Sequence, residues 1–422
     1  MKIIVWGINY APEQTGIAPY NTGLCTHLAT AGHEVRMLTT FSYYPEWRKA
    51  DDDRGQLYRT DTIDNVRVHR CWHYVPRRPN AWRRMIHEAT FVVTSFLRLI
   101  FLPSPAVIVA ISPPLLLGVA AWLASVLKRS RYVFHVQDMQ PDAAVMLGLL
   151  KPGLLTRALY FLERLAHKHA SVVSGITPGM LKLFAAKGVP RSHQLLFPNW
   201  MPEISVSLPE KGAFRRKNSI PPDAFLAAYS GNLGKKQGLD AILDLAQAMQ
   251  SDQEKFRINS ALRIIFVIAG DGVEKAALET KIARDKLHNV ILLPLQSKPG
   301  YHQLLVDADV CLVTQQPGSG SLFFPSKLLT ILAHGRPVVT VADPGGELEE
   351  SVLTGGFGWS VAPGRTGQFA DALREAAANP LEREKRGREG AAWVRQFSHE
   401  NVLASFEREL RRRFSELEST CQ

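Results

Sequence analysis

The sequence predicts an α/β protein made of two domains, each with a doubly wound parallel sheet. Runs of Val, Ile and Leu with little alternation follow one another along the chain, and helical patterns separate them. Such runs are typical of strands that are covered on both faces, and strand–helix–strand repetition implies a parallel sheet. The repetition stops near residue 200 and starts again near residue 224, and 422 residues are enough for about two or three domains.

The first half of the chain keeps this alternation from its first residues. Its strands are predicted over Met1–Trp6, Glu34–Thr39, Val66–His69, Ala106–Ile111, Tyr132–Val136, Ser171–Ser174 and Gln194–Phe197. Helices are predicted over Tyr20–Ala31, where Gly32 ends the helix, and over Leu154–His169. The opening apolar run is too short for a secretory signal, so we interpret it as a buried strand.

The most apolar stretch, between residues 91 and 125, permits two interpretations. Arg98 and four prolines interrupt it, so it contains no continuous run of about 20 apolar residues that could span a bilayer. In the first interpretation a helix, the strand over Ala106–Ile111 and a second helix are buried in succession. In the second, part of the stretch lies in a membrane surface.

The second half repeats the pattern after a polar, basic stretch. Its strands are predicted over Ala224–Ser230, Arg263–Ala269, Val290–Leu293, Asp309–Val313 and Pro337–Thr340, and its helices over Leu239–Gln250 and Ser326–Ala333. We predict an N-terminal domain over 1–203, a C-terminal domain over 204–395 and a helical segment over 396–422, in which Asn401–Glu416 is amphipathic. Because parallel sheets bind ligands at the carboxyl ends of their strands, we expect the ligand in a cleft between the two domains.

Composition and charge exclude several classes of protein. Hydrophobic residues make up 46% and charged residues 21%, which excludes a disordered or a fibrous chain. The net charge of +11 favours anionic partners such as nucleic acid, phosphorylated ligands or an anionic membrane. The four cysteines lie far apart without metal-ligand spacing, which favours a reducing compartment. We expect no metal and no resident cofactor.

Three loops that contain glycine follow predicted strands and precede helices. The first, Gly7–Gly16, is long for such a connection, which suggests a functional loop, and it lacks the GxGxxG fingerprint of dinucleotide binding. The second, Ser230–Gly238, carries Lys235 and Lys236, and the third is Gly270–Gly272. A plain turn explains each loop taken singly, whereas two in one half of the chain, with adjacent lysines, favour an anionic ligand.

The segment 318–339 is the strongest local signal. A glycine-rich loop leads to Pro325 and to Ser326, the expected N-cap of the next helix. Free N–H groups and the helix dipole make the start of such a helix an anion site. Lys327 lies in this first turn, where a cation opposes the dipole, so a bound anion such as a diphosphate explains it. The alternative is a solvated lysine on a structural helix.

Several segments in a fixed order carry a resemblance to a known family. They are the opening strand with Thr15-Gly16, Ala31-Gly32-His33-Glu34-Val35, Phe197-Pro198-Asn199-Trp200, Ser230-Gly231-Asn232-Leu233-Gly234, Ala269-Gly270-Asp271-Gly272, Pro325-Ser326-Lys327-Leu328 and Ala333-His334-Gly335-Arg336-Pro337-Val338. In these segments the whole chain resembles the retaining GT-B glycosyltransferases of the group-1 family, GT4. The segment 135–142, HVQDMQPD, resembles the colanic-acid-type enzymes of bacterial exopolysaccharide assembly.

The resemblance implies a GT-B fold, with two Rossmann-like domains facing an interdomain cleft. It also implies transfer of a sugar from a nucleotide-diphospho-sugar, held mainly by the C-terminal domain, with retention of configuration. The residues that it assigns to the diphosphate are Gly231, Asn232, Lys235 or Lys236, Ser326 and Lys327. The family link makes GDP-fucose the expected donor.

The resemblance assigns the remaining site residues as follows. Gly270 and Asp271 would lie near the nucleoside, and the loop at Leu295 near the base. Thr15 and Gly16 would close on the donor from the other domain. Facing the reacting sugar or the acceptor would be His135, Gln137 and Asp138, and the catalytic residues are expected to be Asp138, His135 and Lys327.

Two departures from the family pattern concern the donor site. Where relatives carry Glu-x7-Glu, this chain has Leu322 and Thr330, so we expect Thr330 or Glu347 to hold the ribose. Asn232 replaces the usual arginine of the second-domain loop, and Gln237 replaces the usual lysine. The positive charge is then expected from Lys235, Lys236 and Lys327.

A basic and aromatic strip indicates the kind of acceptor. The strip consists of Arg67, Arg70, Trp72, Tyr74, Arg77, Arg78, Trp82, Arg83 and Arg84, and the apolar stretch follows it, with Lys128, Arg129 and Arg131 nearby. Arginine and tryptophan beside apolar surface suit an anionic bilayer. We expect a cytoplasmic protein, peripheral on the inner face of the cell membrane, that acts on a lipid-diphosphate-linked sugar. The alternative is a solvated loop beside a core helix.

Other functions share some of these features. A nucleic-acid-binding protein would explain the charge, but no helix-turn-helix, zinc-finger, RRM or KH pattern appears, and no nucleic-acid partner is expected. An inverting GT-B enzyme or a sugar-nucleotide epimerase could share the architecture. A non-catalytic membrane scaffold would explain Leu322 and Thr330.

Overall fold

The structure, a computed structural model, describes residues 1–14, 16–78, 80–148, 150–201, 210–256, 263–320 and 323–414. The chain divides into two compact units. The first consists of Met1–Trp200 together with the segment that begins at His399, and the second of Met201–Ser398. Each unit has its own sheet with helices packed against it.

The sheet of the first unit is wound in both directions from its first strand. Its strands are β1 (Lys2–Trp6), β2 (Glu34–Thr40), β3 (Tyr58–Ile63), β4 (Val66–Cys71), β5 (Val107–Ser112), β6 (Arg131–Val136), β7 (Val172–Gly175) and β8 (Gln194–Leu196). Within the described residues their order is β3-β4-β2-β1-β5-β6-β7-β8. Neighbours are parallel except β3 and β4. Every residue of β5 is buried, which explains its lack of alternation.

The helices of the first unit connect these strands. They are α1 (Ala18–Thr30), α2 (Ala81–Ile100), α3 (Leu116–Lys128), α4 (Gln140–Met146), α5 (Leu154–His169) and α6 (Pro178–Ala186). The apolar stretch between residues 91 and 125 is thus part of α2, then the central strand β5, then α3. No helix in the described ranges is both long enough and apolar enough to cross a bilayer.

The second unit repeats the architecture with a parallel sheet. Its strands are β9 (Phe225–Asn232), β10 (Ile264–Asp271), β11 (Val290–Leu293), β12 (Val310–Thr314), β13 (Val338–Val341) and β14 (Gly358–Val361), in the order β11-β10-β9-β12-β13-β14 across the described part of the unit. Its helices are α7 (Ala213–Lys217), α8 (Asp240–Phe256), α9 (Lys275–Arg284), α10 (Lys298–Asp307), α11 (Lys327–Ala333), α12 (Glu347–Gly355), α13 (Thr366–Ala378) and α14 (Pro380–Trp393). The sheet again changes winding direction beside β9, where ligands of such sheets bind.

The last helix, α15 (His399–Phe414), packs on the first unit. The rings of Phe406 and Phe197 stack with centres 3.9 Å apart, and both side chains are buried in the core around β1 and α1. The apolar face of the amphipathic helix α15 is therefore covered by the first unit.

The sequence pattern predicts most strands but misses two. Strands covered on both faces show continuous apolar runs, and two strands lack such a run. One is β3, an edge strand in which half-buried and exposed residues alternate. The other is β14, which has only four residues. The observed ends of the elements differ from the predicted ends by a few residues. For example, β9 runs two residues beyond Ser230, its predicted last residue.

Candidate functional site

The carboxyl ends of β9 and β10 bring four of the predicted residues together. The two strands pair in parallel, with Gly231 beside Gly270 and Asn232 beside Asp271. A Cβ atom added at Gly270 would lie 2.0 Å from the Gly231 carbonyl oxygen, and Gly231 has a φ of +144°, which side chains rarely adopt. Both positions require glycine, so at Gly231 and Gly270 this edge of the sheet presents bare backbone that permits close approach.

Lys327 reaches the same edge from α11. Its Nζ lies 3.6 Å from the position of a Cβ added at Gly231 and 3.5 Å from the centre of the Tyr229 ring. Part of the side chain is exposed, but Nζ is buried and has no hydrogen-bond partner among the described residues. Burial lowers the pKa of Lys327 to about 7. A buried amine without an acceptor is costly, and a cation–π contact offsets only part of that cost, so the position suits an anion.

The start of α11 differs from the expected anion site. Ser326 holds the N-cap position, but its side chain makes no capping hydrogen bond. The amides of Leu328 and Leu329 donate to the carbonyl oxygens of Pro325 and Ser326, at 2.9 and 3.2 Å. The prediction of free N–H groups is therefore wrong for these two amides. The charge that favours an anion here belongs to Lys327.

A carboxylate that the sequence analysis misses holds the glycine-rich loop before α11. Asp343, which follows β13, accepts hydrogen bonds from the amides of Gly318 and Gly320, both at 2.9 Å. A Cβ atom at Gly320 would lie 3.2 Å from the Asp343 side chain, so the contact is close. The available signal was an aspartate two residues beyond a strand, at the carboxyl edge where ligands bind.

The other predicted donor residues lie around this edge. Lys235 and Lys236 form part of a 3₁₀ turn after β9, where Lys235 is exposed and the Nζ of Lys236 lies 4.4 Å from the centre of the Phe323 ring. Leu295, after β11, is 50% exposed. Thr330 is buried on α11, which leaves little of its surface for a ribose. Their roles stay predictions.

In the first unit, two predicted residues belong to the loop after β1. Thr15 lies outside the described residues. A Cβ atom at Gly16 would lie 3.7 Å from the Tyr44 ring. The buried Glu13 ties this loop to the one after β2, because its Oε1 accepts hydrogen bonds from the amides of Tyr43 and Tyr44, at 2.8 and 2.9 Å.

His135, Gln137 and Asp138 lie at the carboxyl end of β6. Both ring nitrogens of the buried His135 are engaged: Nδ1 lies 2.9 Å from Ser174 Oγ, and Nε2 lies 2.9 Å from Gln137 Nε2. Burial lowers the pKa of His135 to about 3, so the ring is neutral and Nε2 accepts from the Gln137 amide. In this arrangement His135 orients Gln137, while Asp138 is partly exposed. Catalytic roles for His135 and Asp138 stay predictions.

The basic and aromatic strip divides into a buried and an exposed part. Arg70 is 3% exposed, its Nε bonds to Asp61 at 2.7 Å, and its Nη2 donates to the Ala11 carbonyl oxygen at 2.7 Å. Its assignment to a surface strip is therefore wrong. The exposed members are Arg67, Trp72, Arg77, Arg78, Trp82, Arg83 and Arg84.

Two Asp-x-Asp triplets, Asp51–Asp53 and Asp307–Asp309, are engaged in ion pairs. Asp53 pairs with Arg59, and Asp309 pairs with Arg215 at 2.8 Å. In the ranges that the structure describes, no group of three or more His, Cys, Asp or Glu residues is placed to hold a metal ion.

Comparison with protein families gives two adjacent matches. The sequence model described as "Glycosyl transferase 4-like domain" matches residues 15–200. The model described as "Glycosyl transferases group 1" matches residues 210–393. The first match falls in the first unit and the second in the second unit.

Individual proteins are similar over nearly the whole chain. An Escherichia coli (strain K12) protein assigned to colanic acid biosynthesis as the glycosyl transferase WcaI is 33% identical over 97% of this chain and 100% of its own. Sucrose-phosphate synthase from Thermosynechococcus elongatus superposes with a TM-score of 0.74 at 16% identity, covering 98% of this chain and 99% of its own. Anabaena HepE in complex with UDP-glucose has a TM-score of 0.66 at 16% identity, covering 97% and 99%.

Proposed function

Since the chain belongs to the group 1 glycosyltransferase family, we propose that it transfers a sugar from a nucleotide-diphospho-sugar to a saccharide acceptor with retention of configuration. The predicted enzyme class and the predicted GT-B fold class are confirmed by the family matches and by the structural similarities. The identity of the donor, the identity of the acceptor and the stereochemistry are proposals. The assignment of the donor depends on residues of the second unit.

The observation that carries the donor assignment is the buried Nζ of Lys327, which has no partner in the described part of the chain. A diphosphate at this edge would supply the missing acceptor as a charge-assisted hydrogen bond. The backbone at Gly231 and Gly270 permits its close approach. Lys235 and Lys236 add positive charge on the next turn, where the family's usual arginine and lysine are absent.

In the proposed retaining reaction, the acceptor hydroxyl attacks the anomeric carbon on the face that the diphosphate leaves. The bond between the sugar and the phosphate oxygen breaks, the glycosidic bond forms, and the leaving phosphate oxygen takes the hydroxyl proton. The protein then contributes positioning and stabilisation of the charge on the diphosphate. We assign this stabilisation to Lys327, Lys235 and Lys236.

We propose that lysine charge takes the place of a metal ion at the diphosphate. EDTA should then leave the transfer rate unchanged, in a radiolabelled-donor assay with membrane lipid extract as the acceptor. A rate that falls with EDTA and returns with Mg²⁺ would contradict this assignment.

The similar proteins indicate which donors and which process to test. WcaI is assigned to colanic acid biosynthesis, and HepE was solved with UDP-glucose. We propose that this chain acts in bacterial exopolysaccharide assembly, with GDP-fucose as the first donor to test. A ligand that binds only the native state raises Tm, so a thermal-shift panel of GDP-, UDP-, dTDP- and ADP-sugars should give a rise with one nucleotide. No rise with any of them would contradict the donor proposal.

The first unit has an apolar surface that supports contact with a membrane. On α2, α3 and α5, and directly after α2, the exposed large apolar side chains are Trp82, Met85, Ile86, Val93, Leu97, Ile100, Phe101, Leu123, Val126, Leu127, Leu154, Leu155 and Phe161. Because α3 packs against both α2 and α5, these side chains belong to one helical layer. Arg129 and Arg157 are exposed on the same layer. A basic, apolar surface of this kind suits an anionic bilayer, where we propose the enzyme meets a lipid-diphosphate-linked acceptor.

Flotation with phosphatidylglycerol vesicles tests the membrane proposal. The chain should float, less so at high salt, and the double variant Val126→Glu with Leu127→Glu should remain in the soluble fraction. Leu353→Glu with Leu381→Glu, exposed on the second unit, is the matched control and should float like the natural chain. Equal flotation of the two double variants would contradict the assignment to this face.

A further inference from the structure

The segment 135–142, HVQDMQPD, contains a glutamine that is not among the predicted site residues. Gln140 follows Asp138 by two residues and is the first residue of α4, just beyond the carboxyl end of β6. Its side chain is half-buried and contacts two other parts of the first unit, the loop after β5 and helix α2. One side chain therefore connects three segments at the edge of the sheet where ligands bind.

The contact of Gln140 with the loop after β5 is a short hydrogen bond from a buried residue. The Leu115 amide donates to Gln140 Oε1 at 2.6 Å, and Leu115 is 8% exposed. Pro113 and Pro114 have no amide hydrogen, so Leu115 carries the first amide N–H after Ser112. A buried amide without an acceptor is costly. Gln140 therefore supplies the acceptor that this loop needs.

The contact with α2 fixes the direction in which the Gln140 amide faces. Because Oε1 accepts from Leu115, Nε2 is the atom that faces Glu88, at 3.4 and 3.5 Å from its two carboxylate oxygens. Burial raises the pKa of Glu88 to about 7, although the Gln140 hydrogen bond and the positive charge of Arg84 both lower it. At pH 8 the carboxylate is therefore ionised and can only accept, which favours this orientation of the amide.

A second hydrogen bond joins the loops after β5 and β6. The Gln137 amide donates to the Ser112 carbonyl oxygen at 3.1 Å, and Nε2 of Gln137 lies 2.9 Å from Nε2 of His135. Asp138 lies between Gln137 and Gln140, so the backbone is held on both sides of it. The loop after β6 thus has a fixed position relative to the loop after β5.

The rest of α4 is held independently of Gln140. Lys187, which follows α6, pairs with Asp142 on α4 and with Glu163 on α5, the latter at 2.6 Å. These ion pairs do not involve the loop after β5. Replacement of Gln140 should therefore loosen the start of α4 while the helix itself stays in place.

The two loops carry the residues that the resemblance assigns to the reaction in the first unit. From these contacts we propose that Gln140 is a positioning residue, which holds the segment 137–139, and with it Asp138, against the loop after β5 during the transfer. The inference rests on the proposed function for the reaction itself. A purely structural glutamine would affect only stability when it is replaced, whereas a positioning residue lowers kcat and leaves the KM for the donor unchanged.

Hydrogen exchange in the full chain tests the connection without an assay of activity. Mass spectrometry with fragmentation to single amides gives the exchange rate at Leu115. In Gln140→Met this amide should exchange at least about tenfold faster, the scale of one lost hydrogen bond, while β1 and β9 keep their protection. An unchanged exchange rate at Leu115 would overturn the proposal.

Steady-state kinetics at pH 8 with saturating donor measure the effect on turnover. Gln140→Met should lower kcat about 10²-fold, the scale of a small misplacement, and keep both the KM for the donor and the Tm gain with nucleotide-sugar. Gln250→Met is the matched control, because Oε1 of Gln250 accepts from the His288 amide at 2.9 Å, before β11 of the second unit. The control should speed exchange at His288 and leave kcat unchanged. An equal kcat in the two variants would overturn the proposal.

Exchange of the two partners gives a second test that keeps the contacts. Gln140→Glu can still accept from Leu115, but it places a second carboxylate beside Glu88 and should lower kcat about tenfold. Adding Glu88→Gln restores a donor facing a carboxylate, so the double variant should return to within about threefold of the natural kcat. A double variant that is no more active than Gln140→Glu would overturn the positioning role.

The natural chain, measured beside these variants, separates this inference from the proposed function. If the natural chain transfers sugar and Gln140→Met transfers it equally fast, only the inference fails. If the natural chain shows neither transfer nor a Tm gain with any nucleotide-sugar, the proposed function fails, and the positioning role fails with it whatever the exchange rate at Leu115.

Discussion

The Nζ of Lys327 has no acceptor among the described residues and is removed from water. Lys327→Met keeps the length of the side chain and removes the charge. We expect kcat/KM for the donor to fall about 10²-fold, the scale of one lost charge-stabilising donor, while Tm without ligand stays the same or rises. Steady-state kinetics and thermal melts measure the two quantities. The control Lys217→Met, at an exposed position on α7, should change neither kcat/KM nor Tm. If Lys327→Met keeps a kcat/KM within about twofold of the natural chain, the donor site is contradicted.

The same lysine predicts how donor binding depends on pH. Burial lowers its pKa from 10.5 to about 7, so between these values the unfolded chain binds more protons, and this residue makes the free energy of unfolding rise with pH. An anionic donor stabilises the protonated amine, so binding takes up a proton. Donor affinity should fall by up to about tenfold per pH unit above pH 7, as measured by calorimetry. In Lys327→Met the donor affinity should no longer depend on pH in this way. A donor affinity of the natural chain that rises with pH above pH 7 would contradict the proton uptake.

Residue types and spacing were enough to predict that Gly231 and Gly270 lie at the carboxyl ends of strands and that Lys327 lies in the first turn of a helix, and the structure places them there. Their roles at the donor stay predictions. Burial of individual polar residues was not predictable in the same way. Arg70 is buried because it pairs with Asp61 on β3, a strand that the sequence pattern does not reveal. His135 is engaged because parallel register places it beside Ser174, which no local pattern shows.

At the scale of elements, Asp343 connects β13 to the glycine-rich loop before α11. Its carboxylate accepts from two loop amides, so Asp343→Ala leaves both without their acceptor. We expect a loss of about 1–3 kcal/mol in the free energy of unfolding and a higher KM for the donor, as the loop loses its fixed geometry. Urea unfolding and donor kinetics measure the two effects.

A second substitution at the same position tests whether Asp343 positions the loop. Asp343→Asn keeps one acceptor oxygen and should recover part of the lost stability and of the lost donor affinity. Asp371→Ala, on α13 with an exposed ion pair to Arg374, is the control for loss of a surface carboxylate. If Asp343→Ala behaves like Asp371→Ala in both measurements, Asp343 does not position the loop.

The elements themselves could be predicted wherever both faces of a strand are covered. Central strands such as β5 and β10 show continuous apolar runs because helices cover both faces of the sheet. The edge strand β3 alternates half-buried and exposed side chains, and its polar residues resemble those of a loop. The contacts of the Tyr43 ring with Trp47, His73 and His87 could not be predicted either, because these residues come from three segments that only the fold brings together.

At the scale of the whole molecule, the chain leaves the first unit near Trp200 and returns to it at His399. An amphipathic pattern predicts a helix at the end of the chain but does not indicate which sheet it covers. The stacking of Phe406 on Phe197 shows that α15 completes the core around β1 and α1. The first unit therefore depends on residues from both ends of the sequence.

This dependence predicts an effect confined to one unit. Phe406→Ala removes a buried ring from the first unit and should lower its free energy of unfolding by about 3–5 kcal/mol. Hydrogen exchange followed by mass spectrometry should show faster exchange in β1 and α1, whereas β9 and β10 keep their protection. Leu381→Ala, 80% exposed on α14 of the second unit, should change the exchange of neither unit. Equal loss of protection in both units after Phe406→Ala would mean that the two units unfold together, and the stability of the first unit could then not be assigned to α15 alone.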